Sequence, residues 1–406
     1  MTTKKTLRAI VAALFVGVGA AAAVGVLSSP AVAQKVTTPA VAKPLQAAQA
    51  AANARNWSLA LAKAKEAQGI SGKTADEAYL INRLIASYAT SAGDYPTALR
   101  AYDALLGSGR LTPSLRSQIL TASMQIAYRS NNCGKVISIA SEMGGSSSSQ
   151  ELVVQCHYRS GNYQSAARAA GNLIDSRISG GGRPDENWLQ ILLSSSFKLG
   201  DDNGRQRALE LLVLYYGKPQ YWSDLLKIAE RQKGLTDRQN FYISYLRMKS
   251  GSLKKSEEYT TLAQLALIVG LPGASKTIVT EGFTKGVLSG ERSQNLANMA
   301  KVETAKIETK LAQLAKEAAA TPGGEDNVRL GEIYWSLGKH QQAVDQLEAG
   351  IKAGSLTNVD ETRVILGVAQ LDLSRRQEAV QTFSSVPRAS QLSAIARLWT
   401  LYARRG

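Results

Sequence analysis

Two cysteines, two histidines and one glycine-rich turn are the residues here whose types suit chemistry, and their spacing decides how much each can do. Gly72-Lys73-Thr74 has the ending of a phosphate-binding loop, but that loop needs a glycine five residues before Gly72, where Ala67 stands. It also needs a strand before the turn, where the pattern predicts a helix. No Gly-x-Ser-x-Gly occurs, and Ser146 to Ser149 form a linker with no nearby histidine to activate a hydroxyl. His157 and His340 fall in positions flanking turns, so both read as structural. With two His and two Cys, a zinc site of the usual ligand types would need nearly every candidate at once. The sequence therefore predicts no catalytic residue, no metal, no cofactor and no enzyme. Cys133 and Cys156 are more informative, since two cysteines in an oxidising compartment can pair.

The elements that must position these residues are helices. Ala and Leu are the commonest residues, while only 10 Pro and 5 Phe occur, and no sheet-like run of β-branched residues stands out. An internal repeat organises them. In Asn327 to Ile351, Leu330-Gly331, Leu337, Ala343-Val344 and Leu347 return 36 residues later as Leu366-Gly367, Leu373, Ala379-Val380 and Phe383. Two antiparallel helices approach closely where side chains are small, which places Gly331 and Ala343 at their contact. Gly338 can take the left-handed conformation that ends the first helix.

Small positions of the same kind recur at Ala60, Ala98, Val136, Ala166, Ala208, Ala274, Ala343 and Ala379. Two of the steps between them are nearly doubled, so each is expected to hide a diverged hairpin, Tyr221 to Ser250 and Glu291 to Ala320. The sequence thus predicts an all-α, right-handed superhelical solenoid of about ten helix-turn-helix hairpins. Cys133 would open the second helix of the third hairpin and Cys156 lie near the end of the next helix. Antiparallel packing can bring such Cα atoms within the roughly 4.4–6.8 Å that a disulfide requires. Two buried free thiols are the other reading.

These hairpins resemble the tetratricopeptide repeat (TPR), whose period is close to 34 residues and whose pattern has Leu-Gly, Tyr, Ala and Phe at fixed offsets. The units around Tyr88, Tyr163, Tyr334 and Val368 carry the resemblance, with Tyr88, Gly93, Tyr95, Ala98 and Tyr102 as the clearest series. In TPR proteins the first helices line a concave groove that holds a peptide or a partner helix. The resemblance implies groove positions at Arg83, Ser87 and Thr90; Gln155 and Tyr158; Glu332 and Trp335; and Val364, Val368 and Leu371. Trp335 is the strongest contact candidate, because aromatics dominate interface energetics. Its other reading is a core residue.

Lys4, Lys5 and Arg8 precede an apolar run from Ala9 to Leu27, and Ala31-Val32-Ala33 offers a cut after Ala33. The expected organisation is a signal peptide over 1–33, a Pro- and Ala-rich tether over 34–44, and an N-terminal solenoid over 45–300. A charged helix and hinge over 301–323 and a C-terminal repeat pair over 324–406, closed by a capping helix from Leu392 to Arg405, complete it. A leader retained as a membrane anchor is the alternative, and no second apolar run is long enough to span a membrane. The leader carries three of the formal +16 charges, which leaves +13 on the exported part. That balance suits acidic partners, and export argues against nucleic acid.

The whole arrangement resembles periplasmic TPR proteins of Gram-negative bacteria. The resemblance implies a non-catalytic scaffold or adaptor of the cell envelope binding acidic envelope proteins. The alternative is a factor that uses its basic surface to hold cell-wall polymer or another anionic polysaccharide.

Overall fold

The computed structural model describes residues 38–145, 147–320 and 324–405. The leader with its cut after Ala33, tether residues 34–37 and hinge residues 321–323 lie outside the described residues. Among those described, every regular element is an α-helix, twenty in all. The chain divides into two compact units between Asp201 and Asp202. The sequence pattern had put the main boundary at 301–323 instead, because it tracks the strength of the repeat and not where packing is interrupted.

The first unit runs α1 (Pro39–Asn53), α2 (Trp57–Gly69), α3 (Ala75–Ala92), α4 (Tyr95–Leu106), α5 (Pro113–Arg129), α6 (Cys133–Glu142), α7 (Ser147–Arg159), α8 (Tyr163–Ser179) and α9 (Glu186–Leu199). α1 begins inside the segment read as tether. Pro39 sits in its first turn, where a missing N–H costs nothing, and Val41 and Leu45 are buried. Glu77 holds this start in place: Thr38 donates its N–H (2.8 Å) and its hydroxyl (2.9 Å) to the two carboxylate oxygens.

One turn geometry builds the hairpins of both units. Arg55, Gly93, Asn131, Gly161, Gly338 and Ser374 take left-handed backbone at the end of a first helix. The N–H of the following residue reaches back to a carbonyl five residues earlier, as in Asp94 to Ala89 (2.9 Å) and Lys339 to Tyr334 (2.9 Å). That following residue also caps the second helix, and its carbonyl accepts the N–H of Ala60, Ala98, Val136, Ala166, Ala343 or Ala379. All six of these small residues are fully buried, because the turn aims this position at the first helix of its own hairpin. In the first unit Asn56, Asp94, Asn132 and Asn162 also accept an N–H through their side chains, which satisfies one of the donors a helix start leaves unpaired. Near Gly270 the equivalent residue is Ser275, whose N–H bonds to Leu271, so the small position falls one residue after the predicted Ala274.

The second unit runs α10 (Asp202–Tyr215), α11 (Pro219–Glu230), α12 (Asp237–Lys249), α13 (Ser256–Ile268), α14 (Pro272–Thr284), α15 (Gly290–Ala320), α16 (Glu325–Ser336), α17 (His340–Ala353), α18 (Val359–Asp372), α19 (Arg376–Ser384) and α20 (Ser393–Arg404). Residues 221–250 do form a hairpin, α11 and α12. Residues 291–320 do not: nothing in Gly290–Ala320 breaks the chain, and one helix of 31 residues results. Pro219 stands in the first turn of α11, where its missing N–H costs nothing. At Gly331 the two helices of the α16–α17 hairpin approach closely, and an added Cβ would meet Leu347 at 2.7 Å.

The last helix does more than cap an end. α20 packs on α19 and also on α10, α12 and α18, so the helices of this unit close on themselves. Arg397 pairs with Glu210, the Tyr402 hydroxyl donates to the Lys249 carbonyl (3.2 Å), and the Trp222 and Tyr402 rings meet edge to face.

Candidate partner-binding groove

The positions expected to line a groove fare differently in the two units. On α3, Arg83, Ser87 and Thr90 are half-buried. The Arg83 guanidinium stands 6.0 Å from the Tyr79 ring, and the Thr90 hydroxyl donates to the Ala86 carbonyl of its own helix. On α7, Gln155 and Tyr158 are half-buried as well, and each is tied to a neighbouring first helix. The Tyr128 hydroxyl of α5 donates to Gln155, and the Tyr158 hydroxyl shares a 2.7 Å hydrogen bond with Ser194 of α9. First helices also touch one another, α1 with α3, α5 with α7 and α7 with α9.

In the second unit the equivalent face is covered. Trp335, Val364 and Val368 are buried at 3%, 0% and 1% exposure, so they belong to the core and not to a free surface. The cause is α12. Its residues Phe241, Tyr242, Ile243, Tyr245, Leu246 and Met248 are buried on every side, as expected of a helix without a continuous polar stripe. Phe241 and Tyr245 meet the Trp335 ring edge to face, at 6.1 and 5.3 Å between centroids. The Trp335 indole N–H donates to Asp372 (2.9 Å), which also receives Lys249 Nζ (2.8 Å). At the other end of α12, Arg238 pairs with Glu332 and lies 3.8 Å from Glu361. Leu371 stays half-buried. The chain thus lays one of its own helices, aromatic in the middle and cationic near both ends, on the first-helix face of α16 and α18.

Sequence reasoning missed Arg238, Phe241, Tyr245, Lys249 and Asp372. The available signal was the run of aromatic and aliphatic residues from Phe241 to Met248, interrupted only by Ser244 and Arg247. Its Arg247 is buried and neutralised by Glu230 (3.0 Å) and Glu258 (3.1 Å).

Burial pushes the Glu332 carboxyl above its ordinary value of 4.5, against the pull of the Arg238 charge, and burial raises Glu361 as well. Between the ordinary and the raised value, folded Glu332 holds a proton that the unfolded chain has released. Its contribution to stability is therefore full below the ordinary value and is lost as pH rises through the raised one. Glu332→Gln cannot titrate. Urea midpoints of the second unit, measured from pH 4.5 upward, are expected to fall less steeply with pH in this variant; an unchanged slope refutes the assignment.

Cys133 and Cys156 are joined as a disulfide between α6 and α7, with Cα atoms 5.1 Å apart. His157 is half-buried, and that burial lowers its pKa; His340 Nδ1 lies 4.0 Å from Asp372. Among the described residues no three His, Cys, Asp or Glu side chains are grouped to hold a metal, and no helix is long and apolar enough to cross a membrane.

No family model matches the chain, and no curated protein matches it. Three solved structures align with most of it. The crystal structure of the P58(IPK) TPR domain covers 90% of this chain and 97% of its own, at 15% identity and a TM-score of 0.23. Yeast Tom70 covers 89% and 94%, at 11% identity and 0.22. The APC/C hetero-tetramer Cut9-Hcn1 covers 88% and 66%, at 11% identity and 0.19. At these scores the TPR-like, all-α solenoid rests on the chain's own turns, buried small positions and paired helices.

Proposed function

We propose that the chain is a non-catalytic protein-interaction scaffold of the bacterial cell envelope, exported to the periplasm by its leader. It holds an acidic peptide or helix along the first helices of its N-terminal unit. The observation that carries this reading is the contrast between the units: α12 occupies the first-helix face in the second, whereas Arg83, Ser87 and Thr90 on α3 keep part of their surface exposed. Arg83 supplies a cation there, and the residues from 38 to 201 include 16 Lys and Arg against 11 Asp and Glu.

The test is crosslinking in intact cells on a tagged chain, beside an Arg83→Glu version. A discrete set of envelope proteins, captured by the natural chain and lost with Arg83→Glu, is the expected result. Wall polymer alone, or a catch that does not differ, overturns the groove assignment and favours the polysaccharide reading. N-terminal sequencing of the exported form is expected to start at Gln34, and an intact leader would instead make it a membrane anchor.

A further inference from the structure

A second site lies in the C-terminal unit. α14, α15 and the turn after α16 line an open cleft of about 450 Å³, within the usual range for small-molecule sites. Its walls have an unusual hydrogen-bonding bias. Thr277, Thr280 and Thr284 follow one face of α14, and Thr304 faces them from α15. Each donates its hydroxyl proton to a carbonyl four residues back in its own helix, at 3.1, 2.8, 2.9 and 2.6 Å. With the proton committed, the threonine oxygens can only accept from a ligand. They suit a group rich in N–H donors.

Two charges on the same lining are unspent. Glu281 pairs with Lys285 at 2.5 Å, but among the described residues Lys276 and Glu308 have no ion-pair partner. Ser336, only 4% exposed, also lines the cleft, and its hydroxyl has no hydrogen-bond partner. That hydroxyl is packed against Gly273 and closes the floor of the cleft without reaching into it.

The geometry points to a binding site for a small zwitterion, a free amino acid or dipeptide. Its ammonium group meets Glu308 and the threonine oxygens, and its carboxylate meets Lys276. An ammonium needs three acceptors and a carboxylate needs donors, and the cleft supplies both. A neutral sugar would leave both charges unmatched.

The test uses the full chain with ¹³C-labelled threonine methyl groups and L-alanyl-L-alanine as the probe. Saturable shifts of the Thr277, Thr280, Thr284 and Thr304 methyls are expected. Blocking the probe's amine by acetylation, or its carboxylate by amidation, should weaken binding by about tenfold or more, the scale of one charged hydrogen bond. Lys276→Ala and Glu308→Gln, both at exposed positions, should do the same without changing the helical circular dichroism. Absent or unsaturable shifts overturn the site. Equal binding of the blocked probes, or by either variant, overturns the zwitterion.

Discussion

Replacing Trp335 by alanine is expected to destabilise the C-terminal unit by about 3–5 kcal/mol, the usual cost of deleting a buried tryptophan. The ring touches both Phe241 and Tyr245, so its removal opens a cavity under α12 that aromatic side chains cannot refill without leaving their rotamers. Asp372 also loses one of its donors, although Lys249 stays within 2.8 Å. Burial works against the Lys249 charge, but Asp372, with Tyr402 and Glu281 behind it, outweighs this and raises its pKa, so the pair is expected to persist in the variant. Hydrogen exchange on the full chain can resolve the outcome by segment. Amides of α12 (Asp237–Lys249) and α18 (Val359–Asp372) should lose protection by that amount. Retained protection together with lost partner capture would restore Trp335 to a binding surface and refute its place in the core.

That difference marks where sequence stops being informative. The hairpin turns were legible because they are local: the left-handed residue, the cap and the buried small residue fall within six positions, and each unit repeats them. Helical period and the 36-residue offset follow from the same short-range rules. The covering of the second groove is decided by contacts that no window contains. Arg238 meets Glu332 across 94 residues, Lys249 meets Asp372 across 123, and Arg397 meets Glu210 across 187. A reading by repeat alignment places Trp335, Val364 and Val368 on first helices, yet cannot see that α12 lies over Trp335 or that the two valines are buried. The threonine-lined cleft was equally hidden. Thr277, Thr280 and Thr284 read as an ordinary helix face until α15 brings Thr304 opposite.

Opening the Cys133–Cys156 bond should cost about 3 kcal/mol, the loss expected when a closed loop of this length, 23 residues in sequence, is released in the unfolded chain. The place matters as much as the amount. α6 is only ten residues long and carries Gly134 in its first turn, so this hairpin has less helix to pack than its neighbours. Linking its first residue to α7 ties the shortest helix of the unit to the helix that holds Gln155 and Tyr158. Hydrogen exchange with and without dithiothreitol should therefore show the loss concentrated in α6 and α7, with the second unit unchanged; equal protection in both forms refutes the role. The same bond bears on where the chain works, because a disulfide of this kind persists in oxidising compartments and is reduced in the cytosol. Alkylation of the chain immediately on cell lysis should modify neither cysteine unless reductant is added first. Free thiols in that experiment would count against export and against every proposal that depends on it, while leaving the hairpin geometry untouched.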